Sequence, residues 1–430
     1  MTNGTRDRAS GQRGTSRRGD ASEAWAFPLR VWVIHWLLVQ IAATYALRFG
    51  VPNAPSPPYG ELPPPLTGLA YWIVEPLRNW DGLWYRLIAL EGYADGAQSA
   101  RAAFWPLLPG IMHGGSLLTS WTVDTVGYLV ANVAFLGALL VMYRLITFDY
   151  GDPAVARRAI WALALFPTTL FFSAVYTESL FLFLVLSALY LWRRGLLWAA
   201  GLVGIAAALC RSGGIFLVLP FLVLIWDRHR RDWRGYWPDL VPAFFPLIGP
   251  AIFGALLQRD QGNWDAFIDV QEQWNRYSAT PWETLRCAVQ TCHTLGGEPD
   301  GISWDWLNTI WQNPSWAMLT STEWRVSVAN SDVLELGVTV IFLFLAVVGL
   351  RLLPFYQSAW VLPGLLIPLL QPSEVHALMS MPRFVLVLFP LFIVLGALTH
   401  RSWIRVPAII ISVTLSILLT TQFALWYWVS

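Results

Sequence analysis

The chain contains no lysine; all 28 of its basic side chains are arginine. That bias reads as GC-rich coding, and so as a bacterial source, and carries no chemistry of its own. Charge of either sign is scarce. Charged residues make up 13% of the chain, where a soluble domain carries about 25%. The deficit excludes an ordinary soluble fold. The formal net charge of +1 excludes a nucleic-acid binder with a basic face. There is no Walker A motif, no dinucleotide fingerprint and no internal repeat. Cysteine is rare as well. Cys210 lies in an apolar run and reads as a small core residue. Cys287 and Cys292 share a polar loop and suit a disulfide if that loop meets an oxidising compartment. A metal site there is disfavoured, because His293 lacks a fourth ligand at convincing spacing.

Apolar residues are what the chain has in excess, at 56%, with a mean hydropathy of +0.50. They fall in long runs, so the chain reads as an all-α polytopic membrane protein with about 9–12 spans. The 26 tryptophans suit the headgroup level, where the ring is buried and the N–H stays wet.

Residues 1–24 are rich in Gly, Ser and Arg. They are expected to be a disordered cytoplasmic tail, leaving 25–430 as one transmembrane domain. The first span lies over 30–48. A long outer loop, 49–103, opens with the proline-rich VPNAPSPPYGELPPP. A second, tryptophan-rich outer loop, 258–332, reads as a half-embedded cap on the same side. The basic run DRHRRDWR at 227–234 marks a cytoplasmic connection. Counting 104–120 as one crossing and 196–226 as another keeps the tail and this run on one side. The same count puts Arg157, Arg158, Arg193 and Arg194 outside, against the positive-inside rule.

Four segments could carry chemistry. The stretch RNWDGLWYRLIALEGY, residues 78–93, sets Asp81 among tryptophans. A helix over 70–92 would place Trp80, Leu83, Trp84 and Leu87 on one face and Arg78, Asp81 and Tyr85 on another. That pattern suits a helix lying in the interface plane. Asp81 then reads either as a surface partner of Arg78 or as a general base in a groove walled by Trp80, Trp84 and Tyr85. Spacing alone does not choose between them.

Glu178 lies in LFPTTLFFSAVYTESLF, 165–181, beside Tyr176, Thr177 and Ser179. An acid inside a span costs about 2.5–3.5 kcal/mol, so it should face a polar cavity or a partner. The plainer alternative is a helix start capped by Thr177 or Ser179. Arg211 sits in the middle of the 196–226 run, which is expected to break at Arg211-Ser212-Gly213-Gly214. A buried arginine must be paired, and either a phosphate or Glu178 would serve. Arg383, in SMPRFVLVLFP near Glu374 and His376, follows the same logic, with a snorkelling helix-end residue as the alternative. The segment VQEQWNRY, 270–277, groups Gln271, Gln273, Asn275 and Tyr277 around Trp274. Amides on an aromatic platform suit a sugar, and equally any wet interface.

Taken in order, WDGLWYRLIALEGY (80–93), FWPLLP (104–109), LFPTTLFFSAVYTESLF (165–181) and the mid-membrane Arg-Ser-Gly-Gly (211–214) resemble the PIG-V family. These are the second mannosyltransferases of GPI-anchor assembly and their prokaryotic relatives, within the GT-C glycosyltransferase superfamily. The similarity covers roughly residues 30–225 and is looser beyond. It implies a GT-C-like fold and sugar transfer without metal or cofactor. The donor would be a polyprenyl-phosphate sugar, usually of mannose. By motif match, the family's acid after Trp falls on Asp81, beside Trp80. Its Tyr-x-Glu-Ser element falls on Tyr176, Glu178 and Ser179, and its Arg-Ser on Arg211 and Ser212. Arg78, Tyr85, Gln271, Trp274 and Arg383 complete the expected substrate contacts.

Such a transfer needs one base for an acceptor hydroxyl while the lipid phosphate leaves. One acid without a partner carboxylate implies inversion; retention would want a second carboxylate about 5–5.5 Å away. The second half of the chain departs from the pattern, which leaves the acceptor open between lipid and glycan. The expected setting is a bacterial cell membrane with the N-terminus cytoplasmic and the site outside, or the ER membrane in a eukaryote. The expected partners are donor, acceptor and membrane lipids, with a small membrane subunit allowed for and no nucleic acid. Two rival readings are a transporter or flippase of a lipid-linked sugar and a non-enzymatic subunit of a glycan assembly complex.

Overall fold

A computed structural model describes residues 8–53, 62–94, 100–230, 236–289 and 332–429. Helix α1 spans Arg8–Phe49, followed by α2 Leu69–Ile73, α3 Asp81–Glu91 and α4 Leu107–Thr119. Then come α5 Val123–Tyr150, α6 Pro153–Ala164, α7 Glu178–Arg193, α8 Leu197–Cys210 and α9 Val218–His229. Helices α10 Tyr236–Ala243 and α11 Ile248–Gln261 precede α12 Ala266–Gln273 and α13 Pro281–Val289, which lie within the second long loop. The chain closes with α14 Asp332–Leu352, α15 Phe355–Leu370, α16 Met381–Phe384, α17 Phe389–Leu398 and α18 Ser402–Ala424. The described residues hold no β-strand, only an isolated antiparallel bridge between Arg276 and Ser373.

The all-α polytopic fold is therefore observed. Six described helices are long and apolar enough to cross a membrane, or up to seven if the bent pair Met381–Val387 and Phe389–Leu398 is one span. Two shorter apolar helices, Leu197–Cys210 and Phe355–Leu370, add to these. Rows of exposed apolar side chains, such as Ile34, Leu37 and Ile41 on α1 and Val340, Phe344 and Val347 on α14, face outward from the bundle. They suit contact with lipid.

Several segments differ from the expectation. Residues 8–24 of the expected disordered tail continue the first helix, while 1–7 lie outside the described residues. Arg, Ala and Gln are good helix formers and extend a helix already nucleated by its apolar part. The helix expected over 70–92 is broken into α2, a short 3-10 turn at Glu75–Leu77, and α3. Helix α4 has 13 residues, too few to cross alone. Residues 165–177 form no α-helix; a 3-10 turn at Thr169–Phe172 joins α6 to α7.

The 196–226 run breaks where the sequence suggested. Helix α8 ends at Cys210, Arg211 is extended (φ −154°, ψ 148°), and a 3-10 turn at Ser212–Leu217 leads into α9. So this run passes twice, and 104–120 does not pass. That corrects the placement of the paired arginines. Arg157 ion-pairs at 2.5 Å with Glu23, at the start of the membrane-spanning part of α1, Glu23–Phe49. Arg193 pairs with Asp149 at 2.8 Å. Asp149 follows Arg144, whose guanidinium stacks over Trp25, again near the start of that span. Both arginine pairs therefore share one end of the bundle with that start.

The break depends on Gly214. A Cβ there would lie 2.4 Å from backbone atoms of Ala207 and Ala208, whereas at Gly213 the nearest atom is Phe181 Cζ at 3.5 Å. Backbone cannot give way as a side chain can. Gly214→Ala should lower stability by about 1–3 kcal/mol and Gly213→Ala by much less. Thermal unfolding of the two purified variants checks this; equal transitions would refute it.

Candidate functional site

Asp81 is the first residue of α3, where unpaired backbone N–H groups favour an acid. Trp80 before it has φ 56°, a conformation that costs a non-glycine residue about 1–3 kcal/mol. The sharp turn separates Asp81 from Arg78. Arg78 instead donates to Asp124 Oδ2 at 3.1 Å, Glu75 Oε1 at 2.8 Å and the Pro64 carbonyl at 3.0 Å. Its expected roles, as surface partner of Asp81 or as a substrate contact, are both corrected: it holds the first outer loop to α5.

The partner of Asp81 comes from 302 residues away. Arg383 Nη1 donates to Asp81 Oδ2 at 2.6 Å. The Asp81 backbone N–H donates to Tyr176 Oη at 3.1 Å, and Val175 N–H donates to the Leu77 carbonyl at 2.9 Å. These bonds dock the start of α3 on the non-α-helical segment before α7. The Tyr176 ring also lies 5.4 Å from the Arg383 guanidinium, within cation–π reach.

Glu178 is the first residue of α7 and is fully buried. Arg211 Nη1 donates to its Oε1. Arg383 Nε lies 2.9 Å from the same oxygen, an ion pair without the alignment of a hydrogen bond. Glu178 Oε2 is buried without a hydrogen-bond partner among the described residues. Glu178 thus starts the helix and has charged partners, but the expected cap is not formed: neither Thr177 nor Ser179 caps α7 through its side chain.

Behind a cavity of about 260 Å³, Tyr176 and Glu178 stay buried and off the wall. Asp81, Tyr85, Arg211, Ser212, Gln271, Trp274 and Arg383 all reach its wall. Burial, with Glu178 and Asp81 nearby, raises the Tyr85 hydroxyl above its ordinary pKa, so it stays protonated. It shares a hydrogen bond with Thr177 Oγ1 at 3.3 Å. Trp274 stands edge-on to Phe104 and Trp84, which joins the second outer loop to the first. Trp80 and Ser179 do not line the cavity. Trp80 packs edge-on against Trp428, which does. The Ser179 hydroxyl donates to the Phe172 carbonyl at 2.6 Å.

Arg276 also lines the cavity, and sequence reasoning missed it. It donates to the Gln371 carbonyl at 2.8 Å. Burial, and then the neighbouring Arg383, lower its pKa. The available signal was its place two residues after Trp274, in a segment read for its amides. Three guanidiniums, Arg211, Arg276 and Arg383, meet the Asp81 and Glu178 carboxylates, and the Glu335 carboxylate acts on Arg276 from nearby. The guanidiniums on the cavity wall are groups that can pair with a phosphate.

A second cavity of about 350 Å³ shares Arg211, Ser212, Gln371 and Phe384 with the first. Its remaining wall is mostly apolar, with Phe181, Phe216, Trp360 and Leu388. A polar chamber therefore opens into a greasy groove, with Arg211 at the junction.

Some expectations fall partly outside the described residues. Cys287 is disulfide-bonded, while Cys292 lies outside them, as do Trp304, Trp306, Trp311, Trp316 and Trp324 of the proposed cap. Cys210 is a free, buried thiol, as read from the sequence.

Residues 37–224 match the family model described as Mannosyltransferase (PIG-V). The chain is 32% identical over 174 residues to GPI alpha-1,6-mannosyltransferase 2 of Cricetulus griseus, covering 38% of this chain and 33% of that one. It is 30% identical over 167 residues to GPI mannosyltransferase 2 of Cryptococcus neoformans, covering 36% and 39%. The matches thus span 33% and 39% of the length of these curated relatives. The solved structure of ArnT from Cupriavidus metallidurans bound to undecaprenyl phosphate superposes with a TM-score of 0.41 at 13% identity, over 94% of this chain and 77% of that one. The matched family stretch holds Asp81, Tyr176, Glu178 and Arg211, and stops short of Arg276 and Arg383.

Proposed function

We propose that this multi-pass membrane protein is a PIG-V-type glycosyltransferase. It moves a sugar, mannose, from a polyprenyl-phosphate donor to a hydroxyl of a lipid or glycan acceptor. The observation that carries this reading is convergence. Asp81, Glu178, Arg211 and Arg383 come from four distant segments and meet where a polar chamber opens into an apolar groove. A polyprenyl phosphate has the same two parts, an anionic head and a greasy tail.

Asp81 accepts the proton of the acceptor hydroxyl. The acceptor oxygen bonds to the anomeric carbon as the bond from that carbon to the phosphate oxygen breaks. Polyprenyl phosphate leaves with the electron pair. Arg211 and Arg383 offset the charge that grows on it. The leaving group is already a phosphate, so the chemistry asks for no general acid and no cofactor. Glu178 holds the two arginines, and Asp81 serves as the single base, so the anomeric centre inverts. Trp274, Gln271 and Phe104 supply an aromatic and amide platform for sugar.

The shared end of the paired arginines supports a cytoplasmic N-terminus and an extracytoplasmic site. Arg157, Arg158, Arg193 and Arg194 then obey the positive-inside rule, with the tail.

The test is product formation. Membranes carrying the protein, given labelled polyprenyl-phosphate mannose, should yield a new mannosyl product absent from controls. Label that crosses the bilayer still attached to its lipid, with no new glycosidic bond, would make the protein a transporter. Arg211→Ala should weaken donor binding about tenfold or more, from loss of a charge-assisted contact, and acceptor binding far less. Donor titration on purified protein checks this; unchanged donor affinity would return Arg211 to a purely structural pairing with Glu178.

A further inference from the structure

A cavity of about 470 Å³ lies at the other end of the bundle, between α1, α6, α17 and α18. Phe27, Trp161, Phe166, Leu395 and Ile409 make its wall apolar. Arg157, Arg158 and Arg405 stand on the same wall. Arg157 is neutralised by Glu23 at 2.5 Å. Arg158 and Arg405 have no acidic partner among the described residues, and Arg158 Nε is buried without a hydrogen-bond partner. A guanidinium nitrogen shut away from water and unpaired is costly unless something else meets it. Nothing in the sugar-transfer reading uses this place.

We propose that this cavity binds an anionic glycerophospholipid of the surrounding bilayer. Its phosphate sits on Arg158 and Arg405, and an acyl chain lies among Phe27, Trp161 and Ile409. The charge selects the headgroup. Guanidinium pairs with phosphate in a two-pronged geometry. A zwitterionic lipid would bring its own cation toward two unpaired arginines. The apolar wall selects the amphiphile, because a free phosphate would leave that wall uncovered. The cavity also lies at the arginine-rich end, where an anionic leaflet concentrates such lipids. Helices α17 and α6 pack closely at this wall: a Cβ at Gly396 would lie 3.0 Å from backbone atoms of Arg158 and Ala159. The bound lipid therefore lies against closely packed helices.

The experiment is native mass spectrometry of the full chain, released from nanodiscs of mixed phosphatidylglycerol and phosphatidylcholine. The wild type should retain phosphatidylglycerol over phosphatidylcholine. Each arginine near the anionic surface contributes about fivefold to that preference. Arg158→Gln/Arg405→Gln should remove most of it. Millimolar inorganic phosphate should not displace the lipid. Equal retention of the two lipids by the wild type would overturn the proposal, whether or not the variant folds. So would displacement by inorganic phosphate, or a monodisperse variant that keeps the wild-type preference.

Discussion

Replacing Asp81 with Asn should lower turnover by about 10²–10⁴-fold, the usual contribution of a positioned general base. Donor affinity should change little. The substitution keeps the side chain's shape, and the amide oxygen can still accept from Arg383 Nη1, which now approaches Asp81 at 2.6 Å. Arg383 also keeps Glu178 at 2.9 Å, so no guanidinium is stranded. The backbone bond from residue 81 to Tyr176 Oη does not involve the carboxylate. What is lost is an oxygen able to take a proton. Single-turnover transfer from labelled polyprenyl-phosphate mannose, beside donor titration, separates the two effects. Full transfer activity in the variant would remove Asp81 from the role of base. A fall in donor affinity as large as the fall in turnover would make it a donor-binding residue.

The separate parts of this site were legible in the sequence, but their pairing was not. Asp81, Glu178 and Arg211 each announced themselves as charges beside apolar runs, where desolvation demands a partner. The tight turn between α5 and α6 is set by local residues but went unread in the sequence. Gly151 takes φ 68°, and Asp152 Oδ1 accepts from Ala154 N–H ahead of a helix that starts at Pro153. Four other things were not read. The partner of Asp81 is Arg383, and no spacing rule links residues that far apart. Helical periodicity placed Arg78 beside Asp81, but the positive φ of Trp80 breaks that periodicity within two residues. Hydropathy measures apolar length and not direction. It could not tell that 104–120 stays on one side while 196–226 passes twice through a break at Arg211. Arg276 went unread because its approach to the cavity depends on the 275–279 segment pairing with 370–374. There Tyr277 N–H donates to the Pro372 carbonyl at 3.1 Å and Ala279 N–H to the Leu370 carbonyl at 3.0 Å.

Glu178→Gln should have the largest effect on stability, about 3–5 kcal/mol, the cost of breaking a buried ion pair from one side. Glu178 is fully buried, and one of its oxygens faces both Arg211 and Arg383. Removing its charge leaves two guanidiniums close together with one carboxylate, Asp81, held by only one of them. The neutral amide also turns one donor group toward donors. Asp81→Asn, by contrast, leaves each arginine an acid and should cost far less. The order of the two variants in thermal unfolding therefore tests the arrangement. Adding Arg211→Leu to Glu178→Gln should recover part of the loss, because it removes one of the uncompensated charges. Arg211 suits that role, being one-fifth exposed and reaching the groove as well as the acid. If Glu178→Gln unfolds with the wild type, Glu178 does not hold the two arginines. Arg211 and Arg383 would then be oriented by the rings around them, Phe384 above all, which lies under both guanidiniums.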